Sequence, residues 1–234
     1  MKSIDIVWEC GHNFNGNIKL AKLMIDEVKN CGGRIAKFQL YDCEKLKRPW
    51  QSRYMELKMA ELTFEDAVEL KKHCDRLGLE FMASAFDVER VGWLEKLGVK
   101  RYKIASRSIC DKDLIVAMEK TRKPIIASLG MWKEKEFPKI KNVKFLYCIS
   151  EYPARITADQ FPVKFGEGTY AGFSDHTSDM YHAREALKRG ATIIEKHFTL
   201  SHELPGFNQK GSAEPWEAKD FMVFTKQIER GIIY

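Results

Sequence analysis

Two histidines lie near the ends of two successive apolar runs, with one helix-like segment between them. His176 follows "GFSD" and His197 ends "IIEKH". Neighbouring strands of a sheet lie roughly 4.8 Å apart, so imidazoles at their ends can share one metal ion. The alternative is that each is a hydrogen-bonded core histidine. Glu195 and Glu9 nearby favour the metal site, and this ligand chemistry suits Mn²⁺, Fe²⁺, Co²⁺ or Zn²⁺ without choosing among them.

Two lysines interrupt other apolar runs. Lys37 lies in "RIAKFQL" and Lys103 lies in "KRYKIAS". An unpaired ammonium is costly to bury, so each lysine must reach water or meet an anion. Together with Ser106 and Ser128 they could bind a phosphate, with charge from the lysines and hydrogen bonds from the hydroxyls.

The elements that must position these side chains are eight apolar runs rich in Val, Ile, Phe and Tyr, mostly separated by helical patterns. They are "IDIVWEC", "RIAKFQL", "LEFMASAF", "KRYKIAS", "KPIIASLG", "VKFLYCIS", "TYAGFSD" and "ATIIEKHF". In the first helical pattern, Leu20, Leu23, Met24 and Val28 share one face. Eight such units predict an α/β fold, a single-domain (β/α)₈ TIM barrel over residues 1–234. Charged gaps containing proline predict shortened helices after strands five and six.

Polar residues at the carboxyl ends of the runs are the active-site candidates, because barrel active sites form at that face. They are Glu9, Lys37, Gln39, Ser84, Asp87, Lys103, Ser106, Ser128, Ser150, Tyr152, Ser174, Asp175, His176, Glu195 and His197. For the two lysines, the alternative to a phosphate site is a structural network with Glu9 and Glu195.

Composition narrows the classes of function. The chain has 234 residues, of which 44% are apolar and 31% charged, as in an ordinary globular protein. No apolar run approaches the roughly 20 residues of a membrane span, and the first residues lack a secretory signal pattern. The six cysteines form no C-x-x-C pair, so we expect reduced thiols in a cytoplasmic protein. The net charge of +6 comes from interleaved charges, which favours a small anionic ligand over nucleic acid, and we expect no membrane partner.

Several motifs in chain order resemble those of the sialic acid synthase family, whose members condense phosphoenolpyruvate with an N-acetylated amino-sugar aldehyde. The motifs are "KFQ" at 37–39, "ELTFEDAVELKKHCDRLGLEFMASAFD", "YKIAS" at 102–106, "KPIIASLGM", "CISEYP" at 148–153, "GFSDHT" and "IEKHFTL". Each motif alone is a weak signal, but together they cover nearly the whole chain.

The resemblance implies a site at the polar strand ends. His176 and His197 would hold a divalent metal, Mn²⁺ first with Mg²⁺ or Co²⁺ as alternatives, and Glu9 and Glu195 would be the acid–base carboxylates. The residues implied to contact substrates are Lys37, Ser84, Lys103, Ser106, Ser128 and Ser174 around phosphoenolpyruvate, Ser150 nearby, and Gln39 and Tyr152 toward the sugar. The implied activity is that of a transferase, an aldol-type condensation of phosphoenolpyruvate with an aldose or amino sugar. The products would be phosphate and a 2-keto-3-deoxy sugar acid, such as sialic acid or a related nonulosonic acid.

The sequence departs from the family mainly at the sugar end. Phe14 stands where a histidine is expected, and Asn208 and Gln209 replace an acidic residue and a histidine, with Asn208 as the implied sugar contact. Ser84 keeps a hydroxyl where the family has Thr-Pro-Phe. The chain ends at Tyr234, whereas family members continue into an antifreeze-like domain that supplies an arginine to the partner subunit's sugar site. We therefore expect an altered acceptor site, completed by a homodimer or by a separate chain.

Two other functions explain fewer of these residues. A metal-dependent sugar isomerase or epimerase could use histidine and carboxylate ligands on a barrel, but it would have little need for two lysines. A non-catalytic barrel that binds phosphoenolpyruvate or a sugar phosphate would keep the phosphate site without turnover.

Overall fold

Eight parallel strands close into one barrel in the computed structural model, which describes residues 3–233. The strands follow one another in chain order, and the first pairs with the eighth. They are β1 Asp5–Gly11, β2 Ile35–Leu40, β3 Glu80–Ala85, β4 Tyr102–Ile104, β5 Ile125–Ser128, β6 Val143–Cys148, β7 Gly172–Asp175 and β8 Ile193–His197. The predicted (β/α)₈ TIM barrel is confirmed. The extent of a single domain over residues 1–234 stays a prediction, because Met1, Lys2 and Tyr234 lie outside the described residues.

Helices follow most of the strands. They are α1 Ile18–Asn30, α2 Cys43–Leu46, α3 Tyr54–Met59, α4 Phe64–Leu77, α5 Val88–Lys96, α6 Lys112–Lys120, α7 Tyr181–Lys188 and α8 Pro215–Glu229. The short helices α2 and α3 belong to the connection between β2 and α4. Within residues 3–233, no helix combines the length and apolar character needed to cross a bilayer.

Helix α1 shows what periodicity predicted and where it was wrong. Met24 and Val28 are buried, as predicted. Leu23, however, is 53% exposed, and Ala21 and Ile25 complete the buried face instead. At about 100° per residue, position 23 lies roughly 150° from the centre of the buried face, on the opposite side of the helix.

The connections after β5 and β6 contain no helix, so the helices predicted to be shortened are absent there. Aromatic rings cover this side of the barrel. Phe137 stacks on Phe145 with ring centroids 5.1 Å apart. Tyr147 lies 5.4 Å from Tyr170 and 5.9 Å from Phe173 between ring centroids. These rings supply apolar cover that a helix provides elsewhere.

The barrel interior has an apolar layer with a polar layer above it, toward the carboxyl ends of the strands. The apolar layer consists of Val7, Ile35, Met82, Ile126, Leu146 and Ile193, which form one buried cluster. Side chains alternate along a strand, so the next inward residue lies two positions later and one layer higher. Those residues are Glu9, Lys37, Ser84, Ser128, Cys148 and Glu195, and all are buried. Strand alternation therefore places the polar residues directly on the apolar layer.

A glycine permits close packing of β7 against β8. A Cβ atom on Gly172 would lie 1.8 Å from the carbonyl oxygen of Ile193, its paired residue. Two residues later Ser174 pairs with Glu195, and Ser174 Oγ donates a hydrogen bond to Glu195 Oε1 at 2.9 Å. The approach of the two backbones therefore sets the distance between these polar side chains.

Candidate active site

The polar layer opens into a pocket at the carboxyl ends of the strands. All of the strand-end candidates except Asp87 and Asp175 line it, as does Asn208: Glu9, Lys37, Gln39, Ser84, Lys103, Ser106, Ser128, Ser150, Tyr152, Ser174, His176, Glu195, His197 and Asn208. The structure brings these side chains together, while their individual roles stay predictions. Asp175, a weaker candidate, lies outside the lining and pairs with buried Lys196 at 3.3 Å.

Two lysines and two glutamates form a buried ion-pair network at the base of the pocket. Lys37 Nζ contacts a carboxylate oxygen of Glu9 and lies 3.7 Å from Glu195 Oε2. Lys103 Nζ lies 3.3 Å from Glu195 Oε1. These four side chains are at most 10% exposed. The contacts are those of the structural-network alternative, but they lie within the pocket, so a phosphate site at the same lysines remains a proposal.

The network shifts the pKa values of its two carboxyls in opposite directions. Burial raises the pKa of Glu9, and attraction to Lys37 offsets only part of that rise. Burial also acts to raise the pKa of Glu195, but attraction to Lys103 and Lys37 outweighs it and lowers this pKa to about 2. Glu195 is therefore held ionised, while Glu9 is easier to protonate. Opposed shifts of this kind are typical of acid–base pairs.

Besides the glutamates, each lysine contacts one serine hydroxyl. Lys103 Nζ donates to Ser128 Oγ at 2.8 Å, and Lys37 Nζ donates to Ser84 Oγ at 3.1 Å. Gln39 Nε2 donates a hydrogen bond to Glu9 Oε1 at 2.7 Å, so it also contacts the network. A serine hydroxyl can rotate to donate as well as accept, so these groups can also face an anion.

A glycine leaves space between two further hydroxyls. A Cβ atom on Gly130 would lie 2.5 Å from Ser150 Oγ and 3.0 Å from Ser106 Oγ. Ser106 Oγ accepts the backbone N–H of Gly130 at 3.2 Å. Ser150 Oγ is buried and has no hydrogen-bond partner within residues 3–233. We call Ser106, Gly130 and Ser150 the hydroxyl cradle.

The two histidines predicted to bind a metal lie near each other. Their ring centroids lie 5.9 Å apart. His176 Nδ1 lies 2.8 Å from the carbonyl oxygen of Ile149, so Nδ1 donates and Nε2, 3.1 Å from the Tyr152 hydroxyl, is the acceptor nitrogen. His197 Nδ1 is buried without a hydrogen-bond partner in the described chain, and burial lowers the pKa of His197 well below its ordinary value.

These observations fit two ligands rather than a complete protein cage. A ring whose other nitrogen donates to a backbone carbonyl is typical of metal-binding histidine. Within residues 3–233, no group of three or more His, Cys, Asp or Glu side chains is arranged to hold an ion. Oxygen atoms of water or substrate would therefore have to supply the remaining ligands.

Two arginines of the pocket were missing from the predicted set, Arg53 and Arg107. Arg53 Nη2 lies 3.0 Å from His12 Nε2, its Nε lies 3.4 Å from Glu56, and its guanidinium carbon lies 3.8 Å from the centre of the Phe207 ring. Both arginines lie in segments after strand ends, where alternation gives no orientation. Their charge and their position after β2 and β4 were the available signals.

The three residues at which the sequence departs from the family at the sugar end, Phe14, Asn208 and Gln209, occupy different positions in the structure. Phe14 is buried and packs against Phe38, with ring centroids 6.1 Å apart. Gln209 is also buried, and its Nε2 donates to the carbonyl oxygen of Asn13 at 3.0 Å. Only Asn208 of these three lines the pocket, and its Oδ1 is buried without a hydrogen-bond partner among the described residues.

Comparisons with known proteins agree with this geometry. The NeuB family model matches residues 24–232. The N,N'-diacetyllegionaminic acid synthase of Campylobacter jejuni is 30% identical, covering 99% of this chain and 78% of that protein. The pseudaminic acid synthase of Helicobacter pylori is 32% identical, covering 85% of this chain and 66% of that protein. The crystal structure of the sialic acid synthetase of Leptospira borgpetersenii in complex with citrate is similar with a TM-score of 0.86 at 29% identity, covering 99% of this chain and 86% of that one. The chain belongs to the NeuB family.

Proposed function

We propose that this protein condenses phosphoenolpyruvate with an aldose to give a 2-keto-3-deoxy sugar acid and phosphate. The chain is an enzyme of the same kind as the sialic acid synthases and related nonulosonic acid synthases. The observation that supports the reaction most is the buried network of two lysines and two glutamates in a pocket that also holds two imidazoles.

The lysines are proposed to bind phosphoenolpyruvate from the base of the pocket. Lys37 and Lys103 each contact a serine hydroxyl that can turn toward an incoming phosphate or carboxylate oxygen. Their buried position means that an anion reaching them leaves bulk water, which strengthens each charge-assisted hydrogen bond.

The reaction forms one carbon–carbon bond and breaks one carbon–oxygen bond. Carbon 3 of phosphoenolpyruvate attacks the aldehyde carbon, and the aldehyde oxygen gains a proton. Water then adds at carbon 2 and loses one proton, which leaves a hydroxyl and the phosphate ester on the same carbon. The bond from carbon 2 to the ester oxygen breaks, the departing phosphate takes up the hydroxyl proton, and carbon 2 becomes a ketone. Glu9 and Glu195 are proposed to donate and accept these protons, since both lie at the base of the pocket beside the lysines.

His176 and His197 are the residues that would hold a divalent cation, with Mn²⁺ proposed and Mg²⁺ or Co²⁺ as alternatives. Polarisation of the acceptor's carbonyl oxygen is the chemistry that such an ion supplies when bound. The hydrogen bond from His176 Nδ1 to the carbonyl oxygen of Ile149 leaves Nε2 with its lone pair facing the Tyr152 side of the pocket.

The acceptor is proposed to be an aldose that makes fewer contacts than N-acetylmannosamine requires. Gln39, Tyr152 and Asn208 are the side chains proposed to face it, and none of the three is an acidic residue. The six unpaired cysteines support a cytoplasmic location for the reaction.

Turnover of a panel of aldoses with phosphoenolpyruvate and Mn²⁺ tests this proposal, with released phosphate and product mass as readouts. We expect one phosphate per product and a mass equal to aldose plus pyruvate. For N-acetylmannosamine with this chain alone, we expect kcat/KM below about 10⁴ M⁻¹s⁻¹, because each missing polar contact typically costs about one to two decades. Interconversion of aldoses without phosphoenolpyruvate would instead indicate an isomerase.

A further inference from the structure

The formal charges at the base of the pocket, two lysines and two glutamates, cancel one another. Lys37 and Lys103 are matched by Glu9 and Glu195, which contact them directly. Phosphoenolpyruvate carries a carboxylate and a phosphate whose charge is about −2 near neutral pH. A further cation in the pocket, without a carboxylate of its own, would therefore contribute strongly to binding.

Arg107 is the pocket arginine that meets this description. It lies in the 3₁₀ turn Ser106–Ser108, directly after β4, and lines the pocket. Within residues 3–233 its side chain makes no ion pair and no hydrogen bond, and its guanidinium carbon lies 5.8 Å from the centre of the Phe86 ring. Arg53, by contrast, is 3.4 Å from a carboxylate oxygen of Glu56.

The pKa direction of Arg107 agrees with this isolation. Burial lowers the pKa of its guanidinium, and no neighbouring carboxylate opposes the shift. For Arg101, burial is outweighed by Glu80 and Asp5, which raise the pKa. Arg107 is an exposed residue at the pocket, and no anion of the described chain lies beside its guanidinium.

The residue before Arg107 belongs to the hydroxyl cradle. Ser106 Oγ donates to Sγ of Cys148, the last residue of β6, at 3.4 Å. Gly130 has no side chain to fill the space between the two hydroxyls, and Ser150 Oγ there lacks a partner in the described chain. Two hydroxyls, an open space and an unpaired guanidinium next in the chain are the groups from which phosphate sites are built.

We infer that Arg107 binds the phosphate group of phosphoenolpyruvate, together with the hydroxyls of Ser106 and Ser150. This inference rests on the proposed function and adds a residue to its site. In this arrangement the buried lysines hold the substrate from below, and Arg107 supplies the excess positive charge from the side of β4. Because a guanidinium offers parallel N–H donors, a lysine at the same position would retain the charge but lose the two-point contact.

Calorimetric titration of Arg107→Gln, Arg107→Lys and the native protein tests this inference. The ligands are phosphoenolpyruvate, inorganic phosphate and pyruvate, each titrated separately in the same buffer. Arg122→Gln is the matched control, since Arg122 is an exposed arginine in the turn between α6 and β5, does not line the pocket, and makes no ion pair within residues 3–233. Melting temperatures verify that each variant is folded.

We expect Arg107→Gln to weaken phosphoenolpyruvate and phosphate binding at least about tenfold, as for loss of one charge-assisted contact. Arg107→Lys should fall between that variant and the native protein, and pyruvate affinity and the Arg122→Gln control should stay within about twofold. Unchanged phosphoenolpyruvate affinity in a folded Arg107→Gln protein would overturn the inference and leave the proposed function standing. Weakened pyruvate binding with unchanged phosphate binding would also overturn it. Failure of the native protein to bind phosphoenolpyruvate would refute the proposed function itself.

Discussion

The two ends of the barrel both carry buried or half-buried charge networks, but they differ in how completely the polar atoms are satisfied. At the amino-terminal end, Arg101 Nε donates to Glu80 Oε1 at 2.8 Å and Arg101 Nη1 donates to Asp5 Oδ2 at 2.5 Å. Arg101 Nη2 completes a second contact with Glu80 at 3.1 Å. None of these three residues has a buried polar atom without a partner among the described residues.

At the carboxyl-terminal end, the charges are more deeply buried and the surrounding polar atoms are incompletely paired. Lys37 and Lys103 have side chains only 3% and 2% exposed. Around them, Ser150 Oγ, His197 Nδ1 and Asn208 Oδ1 are buried without a hydrogen-bond partner within residues 3–233. An unsatisfied buried polar atom costs about 1–3 kcal/mol, so a ligand that satisfies it gains that amount. The comparison separates a fully paired network from one whose surrounding polar atoms are incompletely paired, and it is at the second that we propose the ligand binds.

The largest effect expected at the ligand end is loss of metal binding. His176→Ala and His197→Ala should each abolish tight Mn²⁺ binding and leave the fold intact, because each removes a side chain at a strand end rather than from the apolar layer. Calorimetric titration with Mn²⁺ measures this, and His182→Ala on α7 is the matched control. Native affinity in both variants would show that these histidines are not metal ligands.

Lys103→Met should weaken phosphoenolpyruvate binding at least about tenfold, since one charge-assisted contact is lost. Titration calorimetry and thermal melting together test whether the lysine belongs to the ligand or to the structure. If the melting temperature falls and the affinity stays native, the network at the base of the pocket is structural, like its counterpart at the other end.

Whereas Lys103→Met should weaken phosphoenolpyruvate binding, Arg101→Met should lower stability and leave that binding unchanged. Removing Arg101 leaves Asp5 and Glu80 without their shared partner, and we expect the free energy of unfolding to fall by about 1–3 kcal/mol. Phosphoenolpyruvate affinity should stay within about twofold of native. Urea denaturation and calorimetry measure the two quantities, and a large loss of affinity with native stability would erase the distinction between the two ends.

The smallest effect that we expect is a pH-dependent change in stability at Glu56, which contacts the pocket residues His12 and Arg53. Hydrogen bonds from His12 and Arg53 lower its pKa from 4.5 to about 2, against the effect of burial. A carboxyl with a lowered folded-state pKa stabilises the protein above its unfolded pKa, and that contribution is lost as pH falls from 4.5 toward 2. Urea denaturation should therefore show the native protein's advantage over Glu56→Gln shrinking across this range. A constant difference would mean that the ionised carboxylate contributes nothing.

Strand alternation made much of this structure predictable. Once the apolar run "IAKFQL" is assigned to a strand, Lys37 must lie two positions above Ile35, and similar logic places Glu9 above Val7. The same regularity gave the closed barrel, because eight similar units leave few other arrangements.

Features that depend on tertiary contacts could not be predicted in this way. Arg53 has a left-handed backbone, with φ of 66°, and its contacts come from His12 and Phe207, which are distant in sequence. Arg107 lies beyond the last residue of β4, where the two-residue alternation no longer applies. Whether a buried hydroxyl such as Ser150 Oγ finds a partner depends on the packing of three strand ends at once.

Gly172 sets a limit on how this site can diverge. A threonine in place of Ser84 would keep the hydroxyl that accepts the hydrogen bond from Lys37. Gly172 cannot be replaced in this way, because even a methyl group there would clash with the Ile193 carbonyl oxygen and separate β7 from β8. Ser174 and Glu195 would then move apart. The residue with no functional group is thus the least replaceable part of the site, and variants that change substrate should accumulate around it rather than at it.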